Sequence, residues 1–221
     1  MDNIISSSDI SESAKLFNNI RCVNSIIGEF CRIGDNCDLV DSVLEDKSEL
    51  GRRNILRDVT IGKGSYTGTD CILKHARIGK YTSIAWNVNI SGGNHPYTHT
   101  SMYTDYWFKK TFGVEVVDEP KEQLLTRIGN DCWIGMGVNI ISGVHIGDGV
   151  VIGAGSVITK DIPPYSVVVG NPGRVIKYRY HDDIIQSLLR LKWWEWEEEK
   201  IKRNIDFLRT EPTVESIRAI K

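Results

Sequence analysis

One histidine in this chain of 221 residues stands where chemistry is easiest to build. His95 lies in the run Gly92-Gly93-Asn94-His95-Pro96. Imidazole is the side chain whose unperturbed pKa suits proton removal near neutral pH. The flanking glycines take side chains out of its approach, so a backbone and a large substrate can come close. The functional expectation is a general base. The competing one is a histidine that only caps a loop with a hydrogen bond. His95 sits at the mouth of a stretch, 91–127, with no hydrophobic period and with Tyr97, Tyr103, Tyr106, Trp107, Phe108 and Phe112 inside it. A connection that long within a compact fold is usually functional.

What must position that loop is a six-residue beat. An aliphatic residue returns at Ile128, Ile134, Ile140, Ile146, Ile152 and Ile158, often followed at once by glycine. The beat runs earlier through Ile27, Ile33 and Leu39, then Ile55, Ile61, Thr67 and Leu73, then Ile78, Ile84 and Ile90. Four residues after each comes a small one: Cys31, Cys37, Val59, Ser65, Cys71, Thr82, Val88, Cys132, Val138, Val144, Val150 and Ser156. Period six fits neither a helix nor a plain strand alternation. It is the signature of a parallel β-helix of hexapeptide repeats, with both registers pointing inward and coils stacked about 4.8 Å apart.

The expected organisation is a polar lead-in over 1–20, a β-helix over 21–170 with the loop inserted at 91–127, and a helical tail over 171–221. The register slips between Asp41 and Asn54, which reads as a loop or long corner. The step from Leu73 to Ile78 is one residue short, which reads as one tightened corner. Ile184, Ile185, Leu188, Leu191, Trp194, Ile201, Ile205 and Leu208 have helical spacing, predicting one or two helices bent near Trp196. The Trp193-Trp194-Trp196 cluster reads as the anchor of those helices.

Composition narrows the function. The chain is 41% hydrophobic with net charge −2, and it has no long basic run, so nucleic acid is not an expected partner. No apolar run is long enough for a membrane-spanning helix, and the polar, acidic start does not read as a signal peptide, so a cytoplasmic address is expected. Four of the five cysteines (Cys31, Cys37, Cys71, Cys132) fall on the small inward register and read as core packing. There is no Cys-x-x-Cys, and neither disulfides nor a zinc-thiolate site is expected.

Several motifs carry a resemblance. The Ile-Gly repeats, the Gly-Gly-Asn-His-Pro loop, Asn130-Asp131-Cys132-Trp133-Ile134-Gly135, the run from Gly153 to Pro164, and Gly170-Asn171-Pro172-Gly173-Arg174-Val175-Ile176 are similar to the hexapeptide-repeat acyltransferases. The tail Leu188 to Trp196 resembles the xenobiotic acetyltransferase branch, which includes chloramphenicol and streptogramin O-acetyltransferases. The resemblance spans about residues 26 to 208. It implies a left-handed β-helix, an exception to the right-handed crossover rule, and a homotrimer with active sites between subunits. It implies acetyl-CoA as cosubstrate, with no metal. It places the general base on His95, which readies an acceptor hydroxyl or amine for direct attack on the thioester, with a backbone N–H steadying the oxyanion.

The same resemblance carries coenzyme A contacts to Gly135, Met136, Ala154, Thr159, Lys160, Arg174 and Lys177. The chemistry agrees. A thin pantetheine arm can lie along exposed backbone edges, and its phosphates need cations, which Lys160, Arg174, Lys177 and Arg179 offer unless they are only solvated surface charges. Met136 departs from the family, where related sugar acetyltransferases often place serine. The loop departs from the Asn-Gly-Ala-Asn-His-Arg form of antibiotic-modifying members; its His-Pro form is closer to sugar acetyltransferases.

The expected acceptor is therefore a sugar, as a nucleotide sugar or surface-polysaccharide precursor, met by Asn94, Tyr97, Tyr103 and Trp107. The aromatic rings among these could equally be interface packing. The alternatives are an antibiotic hydroxyl, a zinc hydratase like the carbonic anhydrases of this fold using His75, His95, His99 or His145, and a purely structural solenoid. The partner that orients His95 stays open, with Asp105 and Glu115 as candidates.

Overall fold

Each inward aliphatic residue closes one side of a triangle. The computed structural model describes residues 3–90, 95, 98–114 and 124–220. It is a left-handed parallel β-helix of hexapeptide repeats with a few short C-terminal helices. Face 1 stacks, among others, Asp38–Val40, the starts of Ile55–Ile61 and Ile72–Ile78, then Asn89–Ile90, Asn139–Ile140 and Val157–Ile158. Face 2 takes the ends of those two long strands, then Thr126–Ile128 and His145–Ile146. Face 3 runs from Lys15–Leu16 through Ser83–Ile84, Trp133–Ile134 and Val151–Ile152 to Ser166–Val169. All of these pairings are parallel until Arg174–Tyr178 closes face 3 antiparallel to Ser166–Val169.

Every small inward residue named above is buried, and so is every aliphatic one except Ile55. There the inward side chain is Leu56, 0% exposed. Each such burial contributes about 1.5–3 kcal/mol relative to exposure. All five cysteines are buried free thiols. Cys31, Cys37, Cys71 and Cys132 direct Sγ at carbonyls of the next coil, 3.0–3.2 Å away. Burial pushes the Cys37 thiol up to about 11 and Cys132 up to about 12, so both stay protonated and inert. Buried Asn54 is satisfied fully: its amide donates to Gly51 O, Thr67 Oγ1 and Gly68 O, and its carbonyl accepts from Cys71 N.

The sequence reading of the first half needs three corrections. Residues 4–16 are not only a lead-in; Ile4–Ser6, Asp9–Ile10 and Lys15–Leu16 form a first coil in register with the next. Asp41 to Asn54 is no loop, since Val43–Leu44 and Glu49–Leu50 continue faces 2 and 3 with Leu44 and Leu50 buried. The short step at Leu73 to Ile78 is not a single event. Coils before the loop repeat every 17 residues, and coils after it every 18 until the last, which repeats after 16. The missing residue always falls at the corner between faces 1 and 2, where Ser7, Asn24, Asp41, Asp58 and His75 stand at positive φ. The inserted loop leaves from that same corner.

The tail reads partly as expected. Four short helices follow face 3: α2 (Asp182–Leu191), α3 (Glu198–Arg203), α4 (Ile205–Leu208) and α5 (Val214–Arg218). The first break comes at Lys192, at φ 44, ahead of Trp196. Trp194 is buried, and Trp193 packs on Tyr81 at 4.8 Å between centroids, so these two anchor the tail. Trp196 instead carries Lys200 over its face. Ion pairs Lys80–Glu195 and Lys47–Glu198 tie the tail to the corner between faces 2 and 3. Among the described residues no helix is long and apolar enough to cross a membrane.

Candidate active site

The loop leaves after Ile90 and returns to the solenoid at Leu124, whose carbonyl accepts from Gly143 N. Between them lies an unexpected helix, α1 (Asp105–Phe112), that buries none of its residues. Its C-terminus is stopped by Gly113 at φ 67. Tyr103 packs edge-on against Phe108 at 5.1 Å and shares a hydrogen bond with Thr111. Trp107, 44% exposed, lies under Lys110. Asn94, Tyr97 and Glu115 lie outside the described residues.

His95 is exposed, with Nδ1 2.6 Å from the carbonyl oxygen of Met102. A carbonyl only accepts, so Nδ1 carries the proton. In the neutral ring Nε2 then holds the lone pair and faces away from the bond. That is the tautomer a general base needs. The partner observed is thus a backbone carbonyl, and Asp105 stands in the first turn of α1 instead.

The predicted coenzyme contacts divide between two corners. Register places Trp86, Met136 and Ala154 in one column at the corner between faces 3 and 1. Gly137 N donates to Trp86 O at 2.9 Å, and Gly155 N to Met136 O at 2.8 Å. A Cβ on Gly135 would come within 2.6 Å of Ala154 N, so the coils touch there backbone to backbone. Gly137 and Gly155 are different. Each has positive φ, yet a Cβ on either would meet nothing within 4 Å. Before the loop this corner carries Asn36, Arg53, Asp70 and Asn87 at the same positive φ. Conformation alone therefore does not demand glycine, and the coils after the loop leave an open, bare edge.

Arg174 begins the strand opposite Val169, one coil beyond Ala154, and Lys177 lies further along it. Thr159 and Lys160 are exposed at the other end of face 1, just before the corner from which the loop springs. Lys160, Arg174 and Lys177 have no carboxylate partner among the described residues. Arg179 departs from the sequence reading. It is half-buried between the rings of Tyr165 and Tyr180 at 5.3 and 5.2 Å, donates to Gly149 O, and faces Asp131 at 3.5 Å. It fastens the tail and is not a free cation.

Residues 125–160 match the family model for the bacterial transferase hexapeptide, six repeats. A probable macrolide acetyltransferase of Lysinibacillus sphaericus is 41% identical over 144 residues, 62% of this chain and 79% of that protein. The chain belongs to the hexapeptide-repeat acyltransferases, in their xenobiotic acetyltransferase branch. This acyltransferase also shares 49% identity over 77 residues with a chloramphenicol acetyltransferase of Agrobacterium fabrum, a match spanning 35% of this chain and 37% of that one. Among solved structures, the polySia-specific acetyltransferase NeuO aligns over 82% of the acyltransferase and 88% of its own chain, at 20% identity and a TM-score of 0.47. Nothing about the acceptor follows from a likeness that low.

Two features escaped sequence reasoning. His75, weighed only as a metal ligand, donates from Nδ1 to the Asp58 carboxylate, which also accepts from Arg77 at 2.8 Å. It is a corner rung directly below the mouth of the acyltransferase's loop. His145 likewise meets Arg127 at 3.0 Å, and among the described residues no three metal-ligating side chains converge. Trp86 is 57% exposed at the corner. The available signal was a large aromatic in an outward hexapeptide position. A cavity of about 860 Å³ bordered by Pro163, Pro164, Tyr178, Tyr180, Ile184 and Leu189 includes, of the residues singled out from sequence for the site, only Arg179.

Proposed function

We propose that this acyltransferase moves an acetyl group from acetyl-CoA to a hydroxyl of a sugar, with His95 as general base. The observation that carries the reading is the Nδ1 contact of His95 with Met102 O, which leaves Nε2 as the basic nitrogen. In the step, Nε2 takes the proton from the acceptor hydroxyl as its oxygen bonds to the thioester carbon. The carbon–sulfur bond breaks, the imidazolium returns the proton to sulfur, and an acetyl ester and free coenzyme A leave.

The pantetheine arm fits the bare edge at Gly135, Met136, Gly137, Ala154 and Gly155. Arg174 and Lys177 lie beyond that edge and suit the phosphates; Thr159 and Lys160 stand across face 1. His95 and this edge belong to different corners of one chain. A trimer, which the family resemblance implies, would set the edge of one subunit against the loop of the next. The exposed rings of Tyr106, Trp107 and Phe112 on α1 suit such an interface.

The sugar acceptor rests on the His-Pro form of the loop. A second reading, an antibiotic hydroxyl, is favoured by the names of the macrolide and chloramphenicol relatives. Acetyl-CoA incubated with nucleotide sugars, a macrolide, a streptogramin and chloramphenicol, with free thiol as readout, separates the two. His95→Ala is expected to lower the rate by about 10²–10⁴-fold while coenzyme A still binds. A rate within about threefold of wild type would remove His95 from the chemistry.

A further inference from the structure

Trp86 is an exposed indole that the fold holds still. A Cβ on Gly68 would lie 2.3 Å from Trp86 Cδ1, so the ring is laid down on the bare backbone of the preceding coil. It is 57% exposed, and directly above it Met136 is 50% exposed, with Ala154 following. Indole, thioether and methyl make one apolar stripe along the corner.

The stripe has a direction, given the donor orientation in the proposed function. Arg174 marks the phosphate end, one coil beyond Ala154. The thiol end of the pantetheine arm then points back toward Met136, and Trp86 lies one coil, about 4.8 Å, past it. That is where an acceptor must stand to attack the thioester. Beside the indole, on face 1, the carboxamides of Asn89 and Asn139 are exposed. Asn89 Nδ2 donates to Asn139 Oδ1 at 3.2 Å, and Asn139 Nδ2 to Gly137 O at 3.2 Å. A fixed apolar face with an amide edge suits a saturated ring with C–H bonds on one side and hydroxyls at its rim.

We infer that Trp86 is the acceptor platform of this enzyme and sets its specificity for a glycosyl ring, whether that ring belongs to a nucleotide sugar or is attached to a macrolide. The inference rests on the acetyl-transfer reading. It assigns Trp86 no part in proton movement.

The test measures acetyl transfer to UDP-N-acetylgalactosamine, erythromycin and chloramphenicol by wild type, Trp86→Ala and Trp86→Phe. One of the two glycosyl probes is expected to react, and which one does identifies the source of the ring. Trp86→Ala should raise the KM of that acceptor about tenfold, leave the KM of acetyl-CoA within about twofold, and be largely rescued by Trp86→Phe. An unchanged acceptor KM overturns the proposal. So does acetylation of chloramphenicol alone or of none of the three, since the acceptor class is then wrong. A Trp86→Ala protein that loses rate by changing its assembly in sedimentation, with both KM values unchanged, makes the indole a packing residue and also overturns it. Failure of wild type to bind coenzyme A would instead sink the acetyl-transfer reading.

Discussion

The coils before the loop and those after it share one core and differ at their corners. Before the loop the coil is 17 residues long, and the left-handed corner residue is nearly always a side chain: Asn36, Asp41, Lys47, Arg53, Asp58, Asp70, His75, Tyr81, Asn87. These side chains form ladders, as in Arg53 on Asp70 at 2.7 Å, Asn24 on Asp41 at 2.6 Å, and the Asp58–His75–Arg77 group. After the loop the coil is 18 residues until the last, and glycine holds the corners at Gly137, Gly143, Gly149 and Gly155. Only the corner that receives the tail keeps side chains there, at Asp131 and Tyr165. The first half thus closes its edges, and the second half leaves one open, the corner between faces 3 and 1 at Gly137 and Gly155. An edge without side chains is of little use to a scaffold and well suited to a thin substrate.

The shared core can be broken in either half. Leu56→Ala and Ile152→Ala each remove a fully buried aliphatic, and each is expected to cost about 2–5 kcal/mol in denaturant unfolding. A cost near zero for one of them would mean that the two halves do not share a continuous core. A smaller effect sharpens the difference at the corners. Burial alone would raise the Asp58 carboxyl, but hydrogen bonds from Arg77 and His75 hold it below the usual carboxylate range. A lowered carboxylate stabilises the fold above its ordinary range and loses that contribution as pH falls through its own pKa. Asp58→Asn should therefore melt a few degrees lower than wild type at neutral pH, and the gap should close as the pH falls below the ordinary carboxylate range. A gap that persists in acid would assign the effect to shape, not charge.

Much of this was legible in the residues. The two inward registers named the core almost without error, because a side chain repeated at fixed spacing can face only one way in a triangular coil. The long interruption and His95 at its mouth were also visible. What failed was arithmetic at one corner. A five-residue step looks like a slip when met once at Leu73 to Ile78. It is recognised as a rule only when Leu39 to Leu44 and Leu56 to Ile61 are aligned with it. Reading Ile55 in place of Leu56 as inward hid that alignment. The first coil was missed because none of Ile5, Ile10 and Leu16 is followed by the glycine that marks the later repeats.

In the site, the partner of His95 is a main-chain oxygen, and no side-chain pattern announces one. Helix α1 has no buried face in the chain to impose a period. Arg179 looked like its neighbours in sequence, and only the two tyrosines stacked on it reveal a structural role.

The central claim is that the bare corner after the loop receives the donor substrate. Asparagine occupies the equivalent left-handed position at Asn36 and Asn87, so Gly137→Asn and Gly155→Asn should fold. Calorimetric titration of coenzyme A into wild type and both variants tests the claim most directly. The account predicts melting temperatures close to wild type and binding weakened by about tenfold or more, roughly 1.4 kcal/mol. Well-folded variants that bind coenzyme A as tightly as wild type would contradict it.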